Sequence, residues 1–383
     1  METRKLYYED SHLSRFTSAV LSCTQTADGW EVTLAATAFY PEGGGQAGDS
    51  GTLNGVRVRG TREREGAVIH LCEAPLEAGA EVTGVIDYDL RFARMQQHSG
   101  EHIVSGILNR RYGCHNTGFH MGADVITIDF DGVIPPQVLP EIEAEANGAV
   151  WQNLPVRCWY PSPEELPAIP YRSKKALAWP VRIVEIPGYD CCACCGTHVA
   201  ATGEIGLIKL LSAVSFRGGT RIEMACGSQA LALLNAAYDQ NRQVSQAFSA
   251  KITETGEAAR RMNELLSAQK YRMAGLEKRV FAGIAESYGN RGNVLHFEEG
   301  LSAEGVLELA DAIADKCGGT AAVFSGSDGG YAYCLIARQG DLRQLGRDMT
   351  AALHGRGGGK PLCQQGRVQA AKGEIEAFFA DRQ

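Results

Sequence analysis

The sequence predicts a mixed α+β chain: a small N-terminal β-barrel, an α/β core holding a metal site, a helical hairpin, and a small C-terminal α/β domain. Three observations predict it. Short alternating segments bounded by glycine or aspartate fill the first 90 residues. Two histidines four residues apart on a helical pattern are answered, far downstream, by a cysteine and a histidine at the same spacing. A long stretch after residue 228 then carries apolar residues only at helical periods.

In the first part, residues 1–90, the strand segments are Trp30 to Leu34, Val56 to Arg59 and Glu81 to Ile86. They alternate apolar and polar residues, the period of a half-buried strand. Between them lies Phe39-Tyr40-Pro41-Glu42-Gly43-Gly44-Gly45-Gln46-Ala47-Gly48-Asp49. Adjacent glycines let backbone amides approach a ligand, and they equally suit a wide surface turn.

The core, residues 91–228, opens on a helix with Met95, His98, His102, Ser105 and Leu108 near one face. Strands follow at Val125 to Phe130 and Val181 to Ile186. His98 and His102 stand one helical turn apart, so their imidazoles can share an ion. Cys194-Cys195-Gly196-Thr197-His198 adds a thiolate and a third imidazole after a strand and a turn. One cysteine and three histidines suit Zn2+, which takes nitrogen and sulfur ligands in a tetrahedron. Four protein ligands ordinarily close a structural site. Catalysis there needs a weakly held ligand, a fifth position, or a metal that positions substrate.

His98-Ser99-Gly100-Glu101-His102 also fits the inverted zinc-protease pattern, with Glu101 as general base. That rival needs a downstream glutamate ligand, such as Glu141, Glu143 or Glu145, and leaves Cys194 and His198 without a role.

The spacer, residues 229–290, has Leu231, Leu234, Tyr238, Leu265, Leu266, Met273, Leu276 and Val280 at helical spacing. Thr255-Gly256-Glu257 divides it into two arms, since threonine and glycine favour caps. It is a spacer and a candidate dimer contact. Residues 291–383 alternate strands and helices and contain Gly355-Arg356-Gly357-Gly358-Gly359-Lys360.

Composition sets the outer limits. Hydrophobic residues are 44% and charged residues 21%, the balance of a soluble globular protein. The first residues lack the apolar run of a signal peptide, and no later stretch is long enough to span a bilayer, which gives a cytoplasmic expectation. Twelve cysteines, four of them in Cys191-Cys192-Ala193-Cys194-Cys195, then suggest metal binding or reactive thiols before disulfides. A net charge of −8 excludes whole-surface affinity for nucleic acid and leaves room for a local basic patch.

Taken together, these motifs resemble the free-standing alanyl-tRNA editing proteins of the AlaX type, in the long form with a C-terminal domain. The resemblance covers nearly the whole chain. Phe39 to Asp49 is similar to the family's glycine-rich loop, and His98, His102, Cys194 and His198 to its zinc ligands. Phe119-His120-Met121-Gly122 with Thr127-Ile128-Asp129 is similar to the segment behind the pocket. Gly203 to Gly206 and Thr220 to Glu223 are similar to strands closing it. Cys191, Cys192 and Cys195 depart from a single-thiol pattern, and the four-residue offset to His198 favours Cys194.

The resemblance implies hydrolysis of the ester joining serine, or glycine, to alanine tRNA. A synthetase pocket for alanine discriminates poorly against smaller glycine or hydroxylated serine, so a second hydrolytic site is needed. The 90 residues before the core are too few for an aminoacylation domain, so editing in trans is expected. Gln46, Thr117 and Glu101 are the candidate catalytic residues, with the Thr117 hydroxyl placed to bond the substrate serine, or else to sit on a strand edge. Arg217, Arg221, Arg356 and Lys360 are candidate tRNA contacts. The C-terminal part resembles the DHH-associated type and implies tRNA binding or a homodimer. The competing reading is a tRNA-binding protein whose zinc is purely structural.

Overall fold

The computed structural model describes residues 2–122, 125–173, 177 and 179–380. Its N-terminal strands are β1 (Arg4–Lys5), β2 (Arg15–Thr26), β3 (Gly29–Leu34), β4 (Ala36–Thr37), β5 (Gly51–Leu53), β6 (Val56–Arg64), β7 (Ala67–Cys72) and β8 (Glu81–Ile86). Six of them close a barrel in the order β2-β3-β7-β6-β5-β8, antiparallel throughout. Alternation sends Phe16, Val20, Val32, Leu34, Leu53, Val58, Val82 and Ile86 inward, where they fill the interior.

The glycine-rich loop leaves the barrel between β4 and β5. Asp49 holds it by accepting from the amide of Tyr40 at 2.7 Å, while Glu42 N donates to Thr61 O at 2.9 Å. The Asp49 carboxylate is itself bonded by Arg91, whose guanidinium also donates to the carbonyls of Ala38 and Ser11. Both charged side chains are 1% exposed. Removing one partner of such a pair strands the other charge, at a cost of about 3–5 kcal/mol.

Arg91 belongs to α1 (Tyr88–Tyr112), which Gly113 stops in the left-handed conformation, its amide donating to Asn109 O. After it come β9 (Asn116–Met121), β10 (Ile126–Phe130), α2 (Leu139–Gln152), β11 (Arg157–Trp159), β12 (Ile183–Ile186), β13 (Asp190–Ala193), β14 (Ile208–Phe216) and β15 (Gly219–Cys226). They make a four-stranded sheet, β14-β15-β10-β9, and a three-stranded one, β11-β12-β13. Met95, Ile103 and Ile107 of α1 pack with Ile142 and Ala146 of α2 against Ile126, Ile128, Ile222 and Met224 of the larger sheet. Gly203 to Gly206, expected as strand, forms a 3-10 turn at Thr202–Ile205 instead. Its glycines supply a tight reversal beside α1 and no ladder.

The spacer is α3 (Gly227–Ala247) and α4 (Thr255–Glu286), interrupted at residues 248–254. The chain packs as two compact units, Met1–Arg242 and Gln243–Gln383. In the second, β16 (Gly292–Phe297), α5 (Ala303–Cys317), β17 (Gly318–Ser327), β18 (Gly330–Ala337), α6 (Arg343–Ala352), β19 (Arg356–Lys360), β20 (Cys363–Val368) and α7 (Lys372–Ala380) form a five-stranded sheet flanked by helices. Its order is β16-β17-β18-β20-β19, and only the first pair is parallel. No helix among the described residues is long and apolar enough to cross a membrane.

Candidate metal centre

From Met95 to Leu108, α1 is buried on every side. A helix in that position is ordinarily apolar all round, yet this one buries Gln96, Gln97, His98, Ser99, Glu101, His102 and Ser105. Buried polar groups cost about 1–3 kcal/mol each when left unbonded. The helix therefore persists only as part of a polar network.

His98 and His102 face the loop that follows β13. Cys194 brings its Sγ to 3.4 Å from His98 Nε2. The ring of His198 lies 4.6 Å from that of His98 and 4.7 Å from that of His102, centroid to centroid. One ligand atom from each of His98, His102, Cys194 and His198 lies within 4.8 Å of all the others. Gly196 makes the approach possible, because a Cβ at that position would collide with the His98 imidazole. Arg182 holds the loop from behind, donating to the carbonyls of Cys194 at 3.0 Å and Gly196 at 2.9 Å.

Each imidazole is fixed by its other nitrogen. His98 Nδ1 donates to Gln46 Oε1 at 3.0 Å, and His102 Nδ1 donates to Asp190 Oδ2 at 2.8 Å. His198 Nδ1 is 3.3 Å from Ser99 Oγ. Asp190 is in turn clamped by Arg172 through two bonds of 2.7 and 2.8 Å. Such partners set the tautomer and aim Nε2 at the centre of the cluster. His198 Nε2 is buried with no hydrogen-bond partner, which a metal at the centre of the cluster would satisfy.

The electrostatics agree. Burial lowers the His198 pKa to about 3, keeping the imidazole neutral as a ligand must be. Burial would raise the Cys194 thiol, but the charge of His98 and the hydrogen bond and charge of His102 hold it well below the usual value. Burial would lower His102, and its hydrogen bonds to Asp190 and Cys194 reverse that, raising it. A thiolate beside a proton-holding imidazole, both buried, is a place where a cation can displace a proton. The donor set of three nitrogens and one sulfur fits zinc.

A cavity of about 390 Å³ opens onto the cluster, lined among others by Gly44, His98, Glu101, His102, Asn116 and Arg182. Glu101 accepts from Ser105 Oγ and from Asn116 Nδ2. Asn116 Oδ1 is buried with no partner.

The remaining sequence-derived residues fall in different places. Gln46 is 1% exposed and is not among the residues lining the cavity beside the cluster. Its Oε1 takes His98 and the amide of Thr197, and its Nε2 donates to Thr197 Oγ1 at 2.8 Å, so it fixes the orientation of the His98 ring. Thr117 is exposed, donates to Asp129 O at 3.2 Å and does not line the cavity. A register shift at Asp129 and Phe130 sets the alternation of β9, and it turns Asn116 inward instead. Arg221 is committed to Asp129 through bonds of 2.6 and 2.8 Å and lies 3.6 Å over the Phe216 ring, which leaves little of its fork for a phosphate. Arg217, at the β14–β15 turn, is exposed and lies 5.0 Å over that ring. Arg356 and Lys360 are exposed on β19, an outer strand paired only with β20. Arg356 also lines a cavity of about 760 Å³ with Tyr333, His354, Gln365 and Arg367.

The protease pattern fails on geometry. Glu141 pairs with Arg111, Glu145 with Arg110 and Arg111, and Glu143 with Lys209. None joins His98 and His102, whose partners are Cys194 and His198. Ser99, Asp190, Arg172, Asn116 and Arg182 were not foreseen. Only Asp190 left a trace in the sequence, as an acidic residue opening the cysteine-rich segment.

Comparison with known proteins follows the same outline. Residues 181–223, which carry Cys194 and His198, match the threonyl and alanyl tRNA synthetase second additional domain. Residues 3–90, the barrel, match class II (A) tRNA synthetases. The fold and site thus define a protein that shares domains with alanyl-tRNA synthetases. The alanine–tRNA ligase of Thermofilum pendens is 32% identical over 97% of this chain, which spans 43% of that protein. Alanyl-tRNA editing protein AlaX-L of Pyrococcus horikoshii is 28% identical, over 97% of this chain and 96% of its own length. Alanyl-tRNA editing protein Aarsd1 of Danio rerio is 25% identical over the same shares. The chain spans less than half of the ligase and nearly all of the editing proteins. Along nearly its whole length it is similar to the alanyl-tRNA editing proteins of the AlaX type.

Proposed function

We propose that this protein is an aminoacyl-tRNA deacylase that hydrolyses the ester of serine, and of glycine, on alanine tRNA, acting in the cytoplasm apart from the synthetase. The observation that carries the reading is the convergence of three individually oriented imidazoles and one thiolate, with His98, His102 and Cys194 on the wall of a cavity that also holds Glu101 and Asn116. The names of the near full-length relatives support the same substrate class.

In this reading His98, His102, Cys194 and His198 hold one zinc. When bound, zinc supplies positive charge for the oxygen that develops negative character as the ester is attacked. Glu101, steadied by Ser105 and Asn116, takes a proton from the attacking water. The ester is already activated, so placing that water is most of the task. Gln46, Ser99 and Asp190 keep the ligands aimed.

The complete set of four protein donors also favours a purely structural zinc in a tRNA-binding protein. One assay separates the two readings. Purified full-length protein should release serine from seryl-tRNA(Ala), and His102→Ala should lose both metal and activity. Serine release at the uncatalysed rate by zinc-loaded wild type would leave only the structural reading.

A homodimer joined by α4 completes the proposal. Met262, Leu266, Gln269, Met273, Leu276 and Val280 alternate steps of four and three, a coiled-coil seam, and all five apolar members are exposed. Leu266→Glu combined with Met273→Glu should turn a dimer into a monomer in sedimentation.

A further inference from the structure

We propose that Arg182, Tyr160 and Trp179 form a docking platform for the unpaired 3′ end of the RNA, beside the metal-ligand cluster. This rests on the deacylase reading and adds residues to it. Arg182 is 5% exposed and lines the cavity with Cys194 and Cys195. Among the described residues its side-chain hydrogen bonds go only to the carbonyls of Cys194 and Gly196, and no carboxylate pairs with it. Carbonyls accept hydrogen bonds without neutralising charge. A cation buried this way is costly unless an anion arrives.

Aromatic side chains lead from that cation to solvent. The Arg182 guanidinium lies 4.7 Å over the Tyr8 ring, and Tyr8 is fastened by its hydroxyl to Cys195 O at 3.0 Å. Tyr8 meets Tyr160 edge-on at 6.1 Å, and Tyr160 is 49% exposed. Trp179 is 57% exposed and donates through Nε1 to the carbonyl of Pro161, the residue after Tyr160, at 3.2 Å. Single-stranded nucleic acids are held by this combination, with bases stacked on exposed rings and a phosphate on an arginine. A chain of net charge −8 repels RNA at long range, so local contacts of this kind must supply the attraction. The platform places the last unpaired bases on Tyr160 and Trp179 and a backbone phosphate at Arg182, which leaves the terminal ester to enter the cavity.

The test is seryl-tRNA hydrolysis by the full chain, with kcat and KM read separately. Tyr160→Ala should raise KM roughly five- to a hundredfold with kcat retained, and Tyr160→Phe should restore it. Arg182→Gln should lower the slope of log KM against log salt by about 0.7. A short oligoribonucleotide ending in the unpaired acceptor sequence should bind wild type by fluorescence anisotropy and lose affinity with Tyr160→Ala. Should Arg182→Gln lose metal or fail to fold, the surface substitutions Tyr160→Ala and Trp179→Ala decide. Unchanged KM and unchanged oligonucleotide binding in those two would overturn the platform. If wild type releases no serine, the deacylase reading fails, and direct binding of the oligonucleotide still decides whether the platform exists.

Discussion

His102 donates its Nδ1 proton to Asp190 across 2.8 Å, and Asp190 is held from the other side by Arg172. The carboxylate therefore sets the direction in which His102 presents Nε2 to the cluster. Burial alone would raise its pKa, and the hydrogen bonds from His102 and Arg172 keep it below the usual carboxylate range. Asp190→Asn should weaken metal binding roughly 10- to 100-fold, measured by competition with a chromogenic chelator. An unchanged affinity would show that packing alone orients the imidazole.

Gly196 tolerates no side chain while His98 stays in place. Gly196→Ala should displace the loop from Cys194 to His198, costing about 1–3 kcal/mol and lowering zinc content per chain. Thermal unfolding and elemental analysis read both effects. A variant with wild-type melting and one zinc per chain would mean the loop has slack that the structure does not reveal.

Glu101→Gln should lower kcat by roughly 10²- to 10⁴-fold while retaining zinc, since the amide preserves shape and loses the base. Thr117→Val should change serine release by less than about twofold, because a rim effect of a fraction of a kcal/mol is all an exposed hydroxyl offers. A large selective loss on serine with Thr117→Val would restore it as the residue that reads the substrate hydroxyl.

Acid should destabilise the barrel through His70. Its ring is fully buried, with Nε2 at 2.8 Å from Thr37 Oγ1 and Nδ1 at 3.0 Å from Val32 O, and burial lowers its pKa to about 4. The unfolded imidazole titrates near 6.5. The folded pKa is depressed, so the stabilisation is complete above 6.5 and declines between 6.5 and 4, by up to about 1.4 kcal/mol per pH unit. Urea midpoints at pH 7 and pH 5 should differ, and His70→Gln should shrink the difference. Equal slopes for both proteins would assign the acid response to other groups.

The cluster of His98, His102, Cys194 and His198 was legible in the sequence because each half is local. His98 and His102 are one turn apart on a helix, and Cys194 and His198 share one short loop, so spacing alone exposes both pairs. Their supports come from elsewhere in the chain: Gln46 from the glycine-rich loop and Asp190 from β13. No pattern in a linear sequence links such residues, and Gln46 was read as facing substrate. Thr117 lies away from the cavity for a subtler reason. A register shift decides which of two neighbours on β9 points inward, and it chooses Asn116. Arg221 looked like a free cation because its partner Asp129 lies on a neighbouring strand, far away in sequence. Strand periodicity located the barrel, although it could not foresee that Asp49 and Arg91 would weld barrel to helix.

That weld changes where the molecule can be cut. Composition shifts near residue 90, which looks like the natural seam for exchanging barrels between editing proteins. A splice made there would take Asp49 from one parent and Arg91 from the other, and a chimera keeps its ion pair only if both parents supply matching partners. Transplantable pieces must run past Arg94, whose Nη1 bonds Gly48 O at 3.0 Å. Recombination in this family should respect a joint several residues downstream of the one the eye selects.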